Sequence, residues 1–301
     1  MGKRALTVSA LICGLLAAGT IAAHAQAWTP QARTLGLDGS YQLGYATRTE
    51  NVDISVIHHL FVPTVEYGIT DELAVSASLP FFMGQCPDCP TLDGGTHAHG
   101  SYDDGSYHAT PTDFRLTARY MIPVSFVSIT PQIGGSIPVR SYEWAGNAAA
   151  GRRLKAAYLG LNLGADLDDY IPRTTVHLAY EFALVEKFKQ AGPEGEALNQ
   201  NYITFAAQIG HSIGPFHLNA ALDLHYGLGG IAFSDFPMLT DLERKNHDPI
   251  LLETIWLAGG GVGYDLGDHT SLYAAVRIFV SGENTSNAST FGLGASWDVD
   301  L

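Results

Sequence analysis

The stretch Phe216-His217-Leu218-Asn219-Ala220-Ala221-Leu222-Asp223-Leu224-His225-Tyr226 decides how the rest of the chain is read. Phe216, Leu218, Ala220, Leu222, Leu224 and Tyr226 fall on one side of an extended backbone, and His217, Asn219, Ala221, Asp223 and His225 on the other. Successive side chains of a strand point to opposite faces, so this is a strand with one face suited to lipid and one suited to water. About ten tilted residues of this kind cross a bilayer as one wall segment of a transmembrane β-barrel.

The same alternation recurs on both sides of that stretch. Phe114, Leu116, Ala118 and Tyr120 stand against Asp113, Arg115, Thr117 and Arg119, and Val176, Leu178, Tyr180 and Phe182 against His177 and Glu181. The last run sets Phe291, Leu293, Ala295, Trp297, Val299 and Leu301 against Gly292, Gly294, Ser296, Asp298 and Asp300. It resembles the C-terminal strand by which assembly machinery recognises outer-membrane barrels, although such strands usually finish on Phe. Strands are expected near 35–47, 56–67, 71–82, 112–122, 125–138, 155–165, 172–185, 201–212, 215–228, 251–265, 269–281 and 289–301, an even number as single-chain bacterial barrels require.

The connections carry a second signal. Tight ones are read at Gly68-Ile69-Thr70-Asp71, Pro123-Val124, Asp168 to Ile171, Ile213-Gly214-Pro215 and Asp265 to Asp268. Long ones are read at 48–55, 83–111, 139–154, 186–200, 229–250 and 282–288. A soluble sandwich gives alternating strands but no reason for this asymmetry. The expected fold is all-β, a closed antiparallel transmembrane β-barrel of about twelve strands with short periplasmic turns and long extracellular loops. Closure is required because an open sheet edge in lipid leaves backbone groups unpaired.

Residues 1–25 read as a signal peptide, with Lys3 and Arg4 ahead of an uncharged run from Ala5 to Ala23 and the small-residue site Ala23-His24-Ala25. The mature chain is expected to start at Gln26, so residues 26–301 form the barrel. Cys13 raises the lipoprotein alternative, but Ile12 occupies the position where such a signal carries a small residue. Only Gln26 to Thr34 precede the first strand, too little for a plug domain. The whole chain is 46% hydrophobic and 15% charged, with a formal charge of −14, which argues against a nucleic-acid partner. The partners expected instead are outer-membrane lipid and lipopolysaccharide, the barrel assembly machinery and a small-molecule solute, in the bacterial outer membrane.

Inward-facing polar residues are expected to include Glu66, Asp113, Arg115, Arg119, His177, Glu181, Gln208, Asp223, His225 and Arg277. These line a path that filters solutes, or form ion pairs that plug the barrel; spacing alone does not choose between the two. The loop 83–111 carries Cys86-Pro87-Asp88-Cys89, His97, His99, Asp103-Asp104 and His108. An exported CxxC favours a Cys86–Cys89 disulfide, and the alternative is a metal site formed by Cys86, Cys89, His97, His99 and His108. The neighbours His58 and His59 point to opposite faces of one strand. No nucleophile pattern is read, and His211-Ser212 and Asp268-His269 fall at the periplasmic end, so the expectation is a protein that is not an enzyme and carries no cofactor.

The segment Pro63-Thr64-Val65-Glu66-Tyr67-Gly68-Ile69-Thr70-Asp71-Glu72-Leu73, continuing through Ser76-Ala77-Ser78-Leu79-Pro80, resembles a hairpin of the outer-membrane transporter family named for the meta pathway of phenol degradation. Ser136-Ile137-Pro138 and Leu161-Asn162-Leu163-Gly164 fit that layout loosely. Val139-Arg140 stands where many members have Thr-Gly, and the Cys/His loop has no counterpart in the family pattern. The resemblance implies a channel for passive uptake of small molecules, aromatic or hydrophobic ones among them, and assigns no site residue. The competing reading is a plugged barrel that displays or binds at the surface.

Overall fold

The computed structural model describes residues 27–49, 52–90, 100–188, 198–232, 234 and 251–301. Residues 1–25, expected as a signal peptide, and His97 and His99 of the expected metal set lie outside these residues. Fifteen strand segments make the wall: β1 (Thr34–Thr49), β2 (Val52–Gly68), β3 (Leu73–Ser78), β4 (Phe81–Gln85), β5 (His108–Pro111), β6 (Asp113–Tyr120), β7 (Ile122–Val124), β8 (Val127–Pro138), β9 (Ala156–Asp166), β10 (Thr174–Val185), β11 (Tyr202–Ile213), β12 (Phe216–Gly227), β13 (Thr254–Asp265), β14 (Thr270–Glu283) and β15 (Ser289–Asp300). β3 with β4 forms one wall strand and β5 to β7 another, giving twelve. Each strand pairs antiparallel with its sequence neighbours, and β1 closes on β15 from Thr34↔Asp300 to Tyr45↔Ser289. The seam between β1 and β15 is thereby shut, which satisfies the backbone there within the membrane.

The outward face is the apolar one. Phe216, Leu218, Leu222 and Tyr226 are exposed there while His225 is buried, and Leu116, Tyr120, Phe291, Leu293 and Trp297 are likewise outside. In a membrane this belt contacts lipid, so its exposure is a property of the fold rather than a defect.

Two prolines mark the breaks between β3 and β4 and between β5 and β6. Pro63 on β2 faces the break between β3 and β4, where the Leu79 amide donates to the Pro63 carbonyl (3.3 Å). The Thr112 amide donates to the Pro80 carbonyl (2.9 Å) at the break between β5 and β6. Proline has no N–H for the ladder, so pairing stops at this level and resumes beyond it.

Several expected boundaries are corrected. Within the long loop expected at 48–55, residues 48–49 and 52–55 are instead strand, since β1 runs to Thr49 and β2 starts at Val52 with Thr49↔Val52 paired. Beyond the bilayer the outward side of a hairpin has no lipid to face, and here the inward side is apolar, with Ile54 buried, so the alternation that marks a spanning strand is lost. The connection read at 282–288 shortens to 284–288 for the same reason. The turn expected at Pro123-Val124 lies two residues later, after β7, where Ser125 has φ 56°.

The lumen is not uniformly wet. At the outer end Ala46, Ile54, Val56, Ile255, Leu257 and Ala288 pack around Cys86, Cys89 and Ala148, which the extracellular loops bring inside the mouth. At the other end residues 27–33 fold inward across the short-turn mouth. Thr130 Oγ1 donates to the Ala27 carbonyl (2.6 Å), Thr29 Oγ1 to the Asp71 carbonyl (2.5 Å), and the Ala32 amide to Asp71 Oδ1 (2.8 Å). These seven residues place Trp28 inside the barrel.

Candidate functional site

A cavity of about 670 Å³ runs through the barrel interior, bordered by Trp28 at the inner end and by Leu257 towards the outer end. All ten residues singled out as inward-facing border it: Glu66, Asp113, Arg115, Arg119, His177, Glu181, Gln208, Asp223, His225 and Arg277. Strand alternation puts them there. On β10, His177, Ala179 and Glu181 share the inner face, and on β12 Asp223 and His225 do.

The charges inside are paired across strands. Arg119 on β6 meets Glu66 on β2, with β3 between them. Arg115 on β6 donates to Glu181 on β10 (2.5 Å), which also accepts from Gln132 on β8 (2.9 Å); Asn162 on β9 donates in turn to Gln132 (3.1 Å). The Arg115 guanidinium lies 4.2 Å over the Tyr158 ring, whose hydroxyl is 2.6 Å from Ser136 Oγ. Burying an ion is costly unless a counter-ion and further hydrogen bonds meet it, and this network supplies both.

Arg277 on β14 reaches Asp223 on β12 (2.6 Å) over the intervening strand β13. Gly259 is the inward residue of β13 beside Arg277. A Cβ there would stand 1.9 Å from the Val276 carbonyl oxygen and 3.0 Å from Arg277 Cα, so only glycine lets the two strands come this close. A second close approach lies at the closing seam, where Tyr273 on β14 crosses β15 to donate to Asp38 on β1 (3.0 Å). A Cβ on Gly294 of β15 would overlap the Tyr273 ring.

Two further lumen residues come from loops. Arg152 donates to Glu253 (2.5 Å), and the Glu253 side chain is fully buried. Both lie outside the strands, so a period-two reading does not find them. Asp38, Asp298, Tyr158 and Tyr202 also border the cavity; the signal that could have found them is their inward parity on strands β1, β15, β9 and β11.

Above the cavity, Cys86 and Cys89 form a disulfide, fully buried. Asp103, 1% exposed, is the centre of the cap. Its carboxylate accepts from the amides of Asn147 (2.9 Å) and Ala148 (3.0 Å) and from Asn147 Nδ2 (3.2 Å), joining the Cys/His loop to the loop after β8. Glu143 adds a second tie, accepting from Ser101 Oγ (2.7 Å) and from the Trp144 and Ala145 amides. Burial raises the Glu143 carboxyl, but these hydrogen bonds outweigh it and hold the group below its ordinary value. Tyr142 donates to Asp113 (2.7 Å), which anchors the cap to the wall.

Among the residues named for a metal, Cys86 and Cys89 are joined to each other, and a disulfide sulfur is not a thiolate donor. His108 stacks on Tyr102 (4.4 Å) with Nε2 on Asp104 Oδ1 (2.9 Å). His58 and His59 do point to opposite faces: His58 is buried against Phe82, and His59 lies outside, 2.6 Å from the Tyr41 hydroxyl.

At the inner rim Ser212 Oγ is 2.8 Å from His217 Nδ1, and His217 Nε2 is 2.6 Å from Asp265 Oδ2. Ser271 donates to the other Asp265 oxygen (2.7 Å). The chain ties four consecutive strands, β11 to β14. His217 and Asp265 are well exposed rather than set in a dry pocket, and His211 of the adjoining dipeptide sits on Thr174 (3.0 Å) instead.

No family profile matches the chain, and no curated protein does. Among solved structures, the COG4313 outer membrane channel from Pseudomonas putida F1 superposes with a TM-score of 0.69 at 13% identity, covering 93% of this chain and 100% of that one. The NanC porin superposes with a TM-score of 0.50 at 10% identity, covering 87% and 98%. At such identities the likeness concerns the fold. The protein is an outer-membrane β-barrel of twelve strands.

Proposed function

We propose that the protein is a passive channel through which small molecules cross the outer membrane. The observation that carries this reading is the cavity of about 670 Å³ lined by paired charges, hydroxyls and amides within a closed wall. Glu66, Asp113, Arg115, Arg119, His177, Glu181, Gln208, Asp223, His225 and Arg277 would form the selective lining, and the solved channels with the same barrel support the role. Residues 1–25 would direct export and be removed ahead of Gln26. The barrel would then meet the assembly machinery and settle among lipid and lipopolysaccharide. The hairpin resemblance points to aromatic or hydrophobic compounds among the solutes.

A second reading, a surface-binding or structural barrel, is favoured by one observation: both mouths are covered, by the Asp103 cap outside and by residues 27–33 inside. Single-channel recording of the refolded mature protein separates the two. Discrete conductance steps are expected, and a change on adding reductant places the Cys86–Cys89 loop at the gate. A silent bilayer, with folding verified by heat-modifiable gel migration, refutes the channel.

A further inference from the structure

The four arginines that border the cavity are all engaged with carboxylates, and Asp38, Asp113 and Asp298 border it as well. Arg115, Arg119, Arg152 and Arg277 each face a carboxylate, respectively Glu181, Glu66, Glu253 and Asp223. Asp38 and Asp113 accept from the hydroxyls of Tyr273 and Tyr142. The groups with hydrogen-bonding capacity to offer are of another kind. His225 at both ring nitrogens, Asn162 at Oδ1, His177 at Nε2 and Thr64 at Oγ1 border the same cavity and meet no partner among the described residues. His225 and Asn162 are 3% and 0% exposed.

A buried polar atom without a partner is costly, and native interiors rarely leave one unexplained. An imidazole brings one donor and one acceptor, and an amide or hydroxyl oxygen accepts without charge. The four ion pairs add no net charge, each guanidinium already has its counter-ion, and the carboxyl groups of Asp38, Asp113 and Asp298 on the same cavity further oppose an anion. An anion entering here must compete with a carboxylate for every arginine it meets. An uncharged solute that both donates and accepts fits the positions that are open, and it disturbs no pair.

From this arrangement we propose that the cavity is a binding site for small uncharged solutes bearing hydroxyl or carboxamide groups, with His225 and Asn162 as its specificity-determining residues. The proposal rests on the channel reading above. Tyr202 supplies an apolar wall beside the site, its ring 4.8 Å from that of His225, so the solute need not be wholly hydrophilic. What it must carry is a neutral group able to hydrogen-bond in both senses.

The test is liposome swelling with the refolded mature protein and three solutes of one size: a five-carbon polyol, the corresponding aldonate and the corresponding aminopolyol. Potassium chloride conductance is recorded on the same preparation. The polyol is expected to enter at least about tenfold faster than the aldonate, the ratio expected from one lost buried hydrogen bond. His225→Leu combined with Asn162→Leu should slow the polyol about tenfold while conductance changes less than about twofold, and His225→Gln should retain most of the polyol rate. Equal rates for polyol and aldonate, or conductance without polyol entry, overturn the proposal and leave the channel reading standing. Neither conductance nor swelling, with folding verified, overturns both.

Discussion

Replacing Asp103 by alanine tests whether the outer cap is held as a unit. The carboxylate accepts three hydrogen bonds, from the Asn147 and Ala148 amides and from Asn147 Nδ2, and it is 1% exposed. Hydrogen bonds to a charged group contribute about 1.5–3 kcal/mol each, and the variant also leaves two backbone N–H groups buried without their acceptor. Contributions around one carboxylate are not additive, so roughly 3–6 kcal/mol is a reasonable range for the loss. At about 1.4 kcal/mol per tenfold, the cap shifts towards release by some hundredfold to ten-thousandfold. The barrel wall takes no part in these bonds, so heat-modifiable migration should stay as in the parent protein. Hydrogen exchange should accelerate by a comparable factor at Asn147 and Ala148, and the open-state conductance or open probability should rise. Unchanged exchange at those two amides would refute the idea that Asp103 joins the two loops.

Acid should loosen the same cap. Glu143 sits below its ordinary value because hydrogen bonds from Ser101, Ala145 and Trp144 outweigh its burial. Its contribution is therefore complete above the unfolded pKa and is lost as pH falls through the lower folded one; proteolysis of loop 100–108 should increase at that acid end and Glu143→Gln should flatten the dependence. Arg277→Leu leaves Asp223 without its partner and adds one net negative charge to the lumen. At about 5 Å in water that charge is worth roughly 0.8 kcal/mol to a passing cation, so the reversal potential should report about a fourfold gain in cation preference. Its absence would mean that ions do not pass this pair. The mature protein should remain unlabelled by a fluorophosphonate, because the Ser212–His217–Asp265 chain is open to water and Asp265 also holds Ser271; labelling at Ser212 would reverse the non-enzymatic reading.

The wall was legible because lipid on one side and a polar lumen on the other impose period two on each spanning strand. Phe216 to Tyr226 shows this without help, and the inward parity of Glu181 or Arg277 follows from the same count. Legibility ended where that constraint ends. β1 continues to Thr49 and β2 begins at Val52, beyond the bilayer, where nothing demands a lipid-suited face. Arg152 and Glu253 approach each other across 101 residues from two loops, a contact no local pattern encodes. The role of Asp103 was hidden by its place in a Cys/His-rich segment that draws attention to metal chemistry, whereas its partners lie in another loop. The inward course of residues 27–33 carried no signal, since a short polar lead-in reads the same whether it trails outside or tucks within.

The reach of the lumen pairs bears on how such a chain enters a membrane. Arg119 with Glu66 lies within β2 to β6, and Arg277 with Asp223 within β12 to β14. Each can form inside its own group of adjoining hairpins, so both ends of the polypeptide can reach the bilayer already electrically neutral at these positions. Arg115 with Glu181 then couples the early half to the middle. What remains is the seam, where β1 meets β15 and Tyr273 lies across Gly294 to reach Asp38. That last contact forms only once the ring is shut, and it makes the phenol a latch that reports completion of the barrel.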